Sequence, residues 1–356
     1  MEGNFTNEEK QLLDSSVEFM EKCDKGILIN PGPFVCSETP KISIIIPVYN
    51  ASATIKKAIR SIQNQNLQDI EIILLDDCSP DNSYDIMQEL QKEDPRIKLS
   101  KNEQNRGVLY TRLTASLTAK GKYIMYLDND DMFSRHDIFT ILYNEIEEGN
   151  YDVVEFNGYS THDYHLINKK KNIASTSHLL KPGGVYTQPE LSKILLRRVN
   201  DEKVELGNTF LWGKIVRADV MKKSIEIFGK ENYEQKVLLH DDDCVICILF
   251  QNAKSLKFLN IYGIYYYTNQ ESITHYKRPF QICHDILFFF DFLDKYYAQD
   301  KKEDIAIRLL NEWDERMAEG LNEENINYAK QIIDKLMGNN SIKEEIKEKI
   351  RQKCKL

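Results

Sequence analysis

The chain has 356 residues, of which 42% are hydrophobic and 29% charged, so it is long enough to bury a large core and has the composition of a globular protein. Its formal charge of −9 disfavours nonspecific binding to nucleic acid. The apolar run at residues 286–290, like every other apolar run in the sequence, is far shorter than the ~20 residues that span a bilayer, so no transmembrane segment is predicted.

The seven cysteines are an odd number and lie scattered along the chain, which indicates reduced thiols and a cytoplasmic protein. The first ten residues are polar and lack the apolar core of a signal peptide, in line with that expectation. Peripheral association with a membrane is left open. Cys244 and Cys247 form a lone C-x-x-C pair in an apolar helical pattern. Because a structural zinc site needs further ligands, they are predicted to be core thiols.

Residues 1–40 are predicted to be an N-terminal extension and linker, with a helical segment at 8–20 and a break at Pro31-Gly32-Pro33. Strands and helices then alternate. The predicted strands are 42–46, 70–75, 97–99 and 123–127. The β-branched run at 42–46 is typical of a strand that is buried on both faces. This series predicts an α/β fold with a Rossmann-like, mostly parallel sheet and flanking helices.

Polar side chains follow three of these strands: Tyr49-Asn50, Asp76-Asp77 and Asp128-Asn129-Asp130-Asp131. Because ligands of open α/β sheets bind at the carboxyl ends of the strands, one crevice is predicted there. In an extended backbone Asp128 and Asp130 point to the same side and repel each other. A divalent cation, Mg²⁺ or Mn²⁺, would relieve that repulsion and bring a phosphate with it. The alternative is an acidic turn that caps the next helix.

The second half of the chain is less regular. Residues 160–184 are predicted to be a lysine-rich loop, and an apolar group at 209–221 precedes Asp241-Asp242-Asp243. Four helical stretches at 279–356 are predicted to form a helical C-terminal extension.

Four segments, in this order and spacing, resemble the family 2 glycosyltransferases with a GT-A fold: SIIIPVYN (43–50), DDCSPDNS (76–83), NRGV (105–108) and DNDD (128–131). The resemblance is close over 41–160 and weaker to 276. It implies a catalytic domain at 41–276, with a nucleotide-donor half at 41–160 and an acceptor half at 161–276. Residues 277–356 then form the helical extension.

The resemblance implies an inverting, metal-assisted transferase. It would move a sugar from a nucleotide-diphosphate donor, most often a UDP-sugar, to a glycan, lipid or protein acceptor. The positions that match the family's donor-binding residues are Pro47, Tyr49, Asp77, Arg112, Asp128 and Asn129. Tyr49 is expected to stack on the uracil, Asp77 to accept its ring N–H, and Arg112 to assist the phosphates. Asp130, with Asp128, is expected to hold Mn²⁺ or Mg²⁺.

Inversion needs a base that takes the proton of the attacking hydroxyl. In the family this is the second carboxylate of an acidic pair before a helix. Asp242 is the match, with Asp241 as its neighbour, and the register within residues 241–243 is left open. The alternative interpretation is an acidic helix start that interacts with the helix dipole.

Three departures from the family pattern affect these expectations. Cys78 stands where a glycine is usual, and Asp241 replaces the common glutamate of the acidic pair, which weakens the assignment of the base. Thr268 stands where an arginine or lysine often contacts the diphosphate. Lys214 or His275 is a candidate to replace that cation, and the alternative interpretation of Lys214 is a solvated cation.

Two other classes of function are weighed against glycosyl transfer. A catalytically silent protein that binds a sugar nucleotide remains open. A Rossmann-type oxidoreductase needs a glycine-rich turn after the first strand, whereas this chain has Pro47-Val48-Tyr49-Asn50.

Overall fold

The computed structural model describes residues 6–29, 33–167, 173–174, 180–207, 210–268, 279–297, 299–313 and 322–354. The chain forms two compact units. The first comprises Met1–Tyr186, Leu211–Lys236 and Ala253–Asn269, and the second comprises Thr187–Phe210, Val237–Asn252 and Gln270–Leu356.

The strands of the described residues are β1 (Ile42–Val48), β2 (Ile70–Asp76), β3 (Ile97–Lys101), β4 (Tyr123–Tyr126), β5 (Met132–Phe133), β6 (Val153–Thr161), β7 (Ile173–Ala174), β8 (Val185–Thr187), β9 (Leu196–Asn200), β10 (Lys203–Leu206), β11 (Lys214–Arg217) and β12 (Ser255–Tyr267). Their α-helices are α1 (Asn7–Asp24), α2 (Ile55–Gln63), α3 (Ser83–Glu93), α4 (Val108–Thr118), α5 (Ile138–Gly149), α6 (Ala218–Phe228), α7 (Lys230–Tyr233), α8 (Asp241–Asn252), α9 (Pro279–Tyr296), α10 (Lys302–Glu312), α11 (Glu323–Met337) and α12 (Glu344–Lys353).

The main sheet has the strand order β3-β2-β1-β4-β11-β6-β12-β5. Its first four strands are parallel, and Ile44 of β1 lies between Ile72 of β2 and Met125 of β4. Every residue of β1, β2 and β4 is buried. Parallel strands that are covered on both faces by helices have this burial pattern, which explains the near-continuous apolar runs in the sequence.

The sheet also contains antiparallel pairs. β11 runs antiparallel to both β4 and β6, β5 runs antiparallel to β12, and β7 runs antiparallel to β6, whereas β6 and β12 are parallel to each other. The predicted α/β fold, with its mostly parallel sheet and its helical C-terminal extension, is confirmed.

The N-terminal helix α1 is an integral part of the first unit. Thr6 and Glu9 form a capping box at its start, with Glu9 N–H donating to Thr6 Oγ1 (3.2 Å) and Thr6 N–H donating to Glu9 Oε2 (2.7 Å). The helix packs on α2. Its buried residues are Leu13, Ser16, Phe19, Met20 and Cys23. Residues 1–40 thus supply more than a linker, because this helix buries an apolar face.

The second unit contains the antiparallel pair β9–β10 and helices α8–α12, of which α9–α12 correspond to the four helical stretches expected at 279–356. Cys244 and Cys247 are fully buried on α8, where burial raises the pKa of both thiols. The borders of the compact units differ from the domain limits expected from the sequence. Because α8 packs against α9, residues 237–252 join the C-terminal helices.

Three expectations concern residues outside the described part of the chain: the break at Pro31-Gly32, most of the lysine-rich loop (168–172 and 175–179) and His275. Among the described helices, none combines the length and the apolar character that crossing a bilayer requires.

Candidate functional site

The carboxyl ends of β1, β2 and β4 are joined by direct hydrogen bonds. Asp77 N–H, just after β2, donates to Val48 O at the end of β1 (2.7 Å). Asn129, after β4, donates from its side-chain amide to Pro47 O (3.1 Å). Since Pro47 is itself buried in β1, this bond fixes Asn129 at the strand edge. The three polar segments that follow these strands therefore lie side by side.

The loop after β1 leaves one aromatic ring open to solvent. Tyr49 is 45% exposed, and Asn50 after it has a left-handed φ of 52°. Asn50 N–H donates to Ser79 Oγ (3.1 Å) and Ala51 N–H donates to Ser83 Oγ (2.8 Å). These bonds tie the loop to the segment after β2, so Tyr49 is an exposed ring on an anchored backbone.

The Asp77 carboxylate holds the loop that leads into α4. It is 3% exposed and accepts hydrogen bonds from the Asn102 side-chain amide, Arg106 N–H and Gly107 N–H, each 2.8 Å long. Gly107 has a φ of 90°, where only glycine is unstrained. A carboxylate oxygen offers two acceptor positions, and Oδ2 has one of these donors, so a further donor fits there.

Two neighbours of Asp77 were not singled out as site residues by sequence reasoning. Asp76 is fully buried and pairs with Lys101 Nζ (3.2 Å) at the end of β3. Cys78 adopts a φ of 60°, in the left-handed region that favours glycine, at the position where the resemblance expects glycine.

Arg112 on α4 neutralises the first residue of the acidic segment. Its guanidinium lies 2.9 Å from Asp128 Oδ1, and its side chain is only 5% exposed, whereas that of Asp128 is 30% exposed. The structure thus places Arg112 and Asp128, two of the residues that are predicted to bind the donor, next to each other. A contact of Arg112 with phosphate stays a prediction.

The other two acids of this segment carry perturbed pKa values. Burial, together with the charge of Asp128, raises the pKa of Asp130 to about 6. Burial and the charges of Asp130 and Asp128 raise the pKa of Asp131 well above its usual value. Asp131 is fully buried and accepts Tyr267 N–H from the end of β12 (2.9 Å). Sequence reasoning gave Asp131 no role of its own, and its place at the end of the acidic run was the available signal.

This arrangement fits a divalent cation that takes part of its ligands from a substrate. Asp128 and Asp130 supply hard oxygen donors whose mutual repulsion a cation would relieve. Within the described residues, three or more histidine, cysteine or acidic side chains are nowhere grouped as a metal site. Mg²⁺ is commonly held by one or two carboxylates plus phosphates and water, so the two acids suffice.

The predicted base belongs to the second compact unit, whereas the residues after β1, β2 and β4 belong to the first. Asp241, Asp242 and Asp243 form the first turn of α8. The Asp243 carboxylate is buried and is hydrogen-bonded to His240 Nδ1, whereas Asp241 and Asp242 are half-buried. This contact fixes the Asp243 carboxylate against the His240 ring.

Lys214, one expected replacement for a cation near the diphosphate, lies in the core. Its ammonium and Glu155 Oε2 are 3.4 Å apart, both side chains are fully buried, and the two residues face each other across β11 and β6. This ion pair is a structural feature of the sheet.

Comparisons with known proteins agree with these observations. The family model for glycosyl transferase family 2 matches residues 43–198. An uncharacterized glycosyltransferase, EpsJ of Bacillus subtilis, is 28% identical over 239 residues (66% of this chain, 63% of the relative). The cholesterol galactosyltransferase of Borreliella burgdorferi is 27% identical over 248 residues (68% of this chain, 64% of the relative). The chain thus spans slightly less than two thirds of these two relatives.

A solved structure supports the fold. Residues 1–349 of S. aureus TarS, crystallised in complex with UDP-GlcNAc, superpose with a TM-score of 0.61 at 17% identity, covering 86% of this chain and 82% of that one. The strand-end motifs and the matched model thus show that residues 43–198 are similar to glycosyl transferase family 2, and the fold resembles that of TarS.

Proposed function

We propose that this protein transfers a sugar from a nucleotide-diphosphate sugar, of the UDP type, to an acceptor hydroxyl, with inversion at the anomeric carbon and assistance from a divalent cation. The observation that carries the proposal is the convergence of Tyr49, Asp77 and the 128–131 segment at the carboxyl ends of three hydrogen-bonded strands. The relatives are named as glycosyltransferases, and TarS binds UDP-GlcNAc and UDP, which supports a UDP-sugar as the donor.

The exposed ring of Tyr49 is the proposed platform for the base. Stacking of a base on an aromatic side chain contributes about 1–3 kcal/mol. Asp77 Oδ2 would accept the ring N–H of uracil, and its three existing donors hold the carboxylate in one place. Pro47 and Asn129 fix the strand edge under the nucleotide through their mutual hydrogen bond.

Asp130 and Asp128 are the proposed ligands of Mn²⁺ or Mg²⁺. Such a cation would supply positive charge that offsets the charge developing on the leaving nucleotide. Arg112 would lie beside the same phosphates, because its guanidinium already contacts Asp128. Asp130 must lose its proton before it can act as a ligand, so binding of the cation is expected to weaken near and below pH 6.

Asp242 is the proposed base. It would take the proton of the acceptor hydroxyl while that oxygen bonds to the anomeric carbon and the bond to the nucleotide diphosphate breaks on the opposite face. Asp241, one residue away in the same turn, is the alternative within the register left open by the sequence.

A glycan, lipid or protein hydroxyl is the proposed acceptor. One relative is named for transfer to cholesterol, and a Campylobacter jejuni relative, 41% identical over 93 residues, for transfer to an undecaprenol-linked glycan. A lipid-borne acceptor and peripheral contact with a membrane are therefore our preferred proposal. The described cysteines are all free thiols, which supports a cytoplasmic location.

A thermal-shift screen tests the donor class. Purified protein is heated with UDP-, GDP- and dTDP-sugars, each with Mn²⁺ and with a chelator. A ligand at 100 times its Kd stabilises the folded state by about 2.7 kcal/mol, so a UDP-sugar with Mn²⁺ should raise the melting temperature clearly. Absence of a shift with every donor would contradict the proposal. A shift without any release of UDP across a panel of acceptors would favour a silent binding protein.

A further inference from the structure

A buried carboxylate on α9 fixes the backbone that leads into α8. Asp285 is fully buried, and its Oδ2 accepts two consecutive backbone N–H groups, from Leu238 (2.8 Å) and Leu239 (3.1 Å). These residues lie immediately before the acidic turn at 241–243. A single rigid group thus holds the chain three to four residues ahead of Asp242.

The other oxygen of Asp285 is equally engaged. Oδ1 accepts the Gln281 side-chain amide (2.6 Å) and is hydrogen-bonded to His284 Nδ1 (3.2 Å). The bond to Asp285 raises the pKa of His284. A buried charge is costly unless it is hydrogen-bonded, and four partners satisfy this one, so its position is tightly defined.

A second contact fixes the next residue of the loop. His240 has a left-handed φ of 63°, and its ring stacks on Phe289 of α9 with centroids 4.5 Å apart and planes 8° apart. His240 O then accepts Cys244 N–H (3.1 Å), the bond that begins the helix. One face of α9 carries Gln281, Asp285 and Phe289, which are spaced four residues apart. This face therefore contacts residues 238–240, which lead into α8.

We propose that Asp285 is a positioning residue for glycosyl transfer: through Leu238 and Leu239 it sets the place of Asp242, and the stack of His240 on Phe289 completes the support. The proposal rests on the proposed function, in which Asp242 is the base. It gives the C-terminal helices, to which the sequence assigned no role, a part in building the catalytic side of the enzyme.

The test compares Asp285→Asn with Asp291→Asn, a substitution on the same helix of an acid that pairs with Lys335 near the surface. The amide cannot accept at both ends, so Asp285→Asn releases one pair of donors. A base displaced by about 1 Å loses on the order of 10- to 100-fold in rate. We expect that loss in kcat, with the donor KM and the affinity for UDP unchanged, and wild-type kinetics for Asp291→Asn.

His240→Asn is the second variant, because asparagine tolerates the left-handed backbone while the ring stack on Phe289 and the imidazole contact with Asp243 are both lost. It is measured by the same assays and decides the matter if Asp285→Asn melts below the assay temperature. The inference would be overturned if Asp285→Asn folds and keeps the wild-type kcat. It would also be overturned if either variant loses affinity for UDP in proportion to its loss of kcat. Asp242→Asn is assayed alongside: if it keeps full activity, it is the proposed base that fails.

Discussion

The two compact units hold their acidic side chains in different ways. In the first unit, Asp77 and Asp128 each meet donors supplied by segments close to their own strand ends: the 102–107 loop and Arg112 of α4. In the second unit, the backbone just before the acidic turn of α8 is held by Asp285. This residue accepts Leu238 N–H and Leu239 N–H, and it lies 47 positions after Leu238 in the sequence. In the proposed function, the donor end is therefore held by loops that follow neighbouring strands, and the base end is held by a helix from a distant part of the chain.

This difference implies that the two ends can be damaged separately. Substitutions after β1, β2 and β4 should change affinity for the donor. Substitutions at the start of α8, or in the face of α9 that supports it, should change turnover alone.

The largest effect is expected for Asp242→Asn. Removing a general base slows the reaction by about 100- to 10,000-fold, and we expect that loss in kcat while UDP-sugar affinity, measured by calorimetry, stays at the wild-type value. Asp241→Asn is the matched control, because it tests which acid of the turn is the base, and its kcat should fall much less. If Asp241→Asn is the more damaged of the two, the base is Asp241. If neither variant is impaired, the acidic turn does not supply the base, and the proposed division of roles between donor binding and turnover is contradicted.

Asp130→Asn should act on the donor end. Loss of a carboxylate ligand is expected to weaken Mn²⁺-dependent binding of UDP by at least about 10- to 100-fold, the cost typical of losing even an outer-shell partner. Binding measured by calorimetry in Mn²⁺ and in a chelator checks this result. Glu89→Gln, which removes an exposed acid paired with Lys92, serves as the control and should bind normally. Full Mn²⁺-stimulated affinity in Asp130→Asn would remove the metal assignment.

Tyr49→Ala tests the base-stacking platform without touching the cation. The ring is largely exposed, so the variant should fold normally and lose about 1–3 kcal/mol of affinity for UDP and for uridine alike. Tyr49→Phe keeps the ring and should bind as the wild type does. If Tyr49→Ala binds UDP and uridine as tightly as the wild type does, the base binds elsewhere.

The smallest effect concerns stability in the absence of a cation. The folded chain holds the Asp130 proton more tightly than the unfolded chain, because its pKa rises from 3.8 to about 6. The resulting stabilisation is complete below about pH 4 and is lost as the pH rises through about 6.

Asp130→Asn should therefore melt above the wild type at pH 7.5 without divalent ions, by on the order of 2–4 °C, and the difference should shrink near pH 4. Differential scanning calorimetry at both pH values checks this expectation. A melting difference that is independent of pH would mean that Asp130 is not perturbed in the folded state.

The sequence was sufficient to predict the parallel half of the sheet, because β1, β2 and β4 are apolar runs that end in polar residues. It was insufficient for β11, because this strand carries Lys214 opposite Glu155 and a buried ion pair gives no apolar pattern. It also gave no indication of Asp285, which interrupts an apolar helix pattern and reads as a solvent-facing charge. Its partners are backbone amides of another segment, which only the fold brings together.

The most direct test of the central claim is a crystal structure with UDP and Mn²⁺, with the cation located by its anomalous signal. We predict uracil on the Tyr49 ring and a manganese peak at bonding distance, about 2.0–2.2 Å, from Asp130 and the diphosphate. A nucleotide bound away from Tyr49, or a manganese ion bound away from the 128–131 segment, would contradict the account.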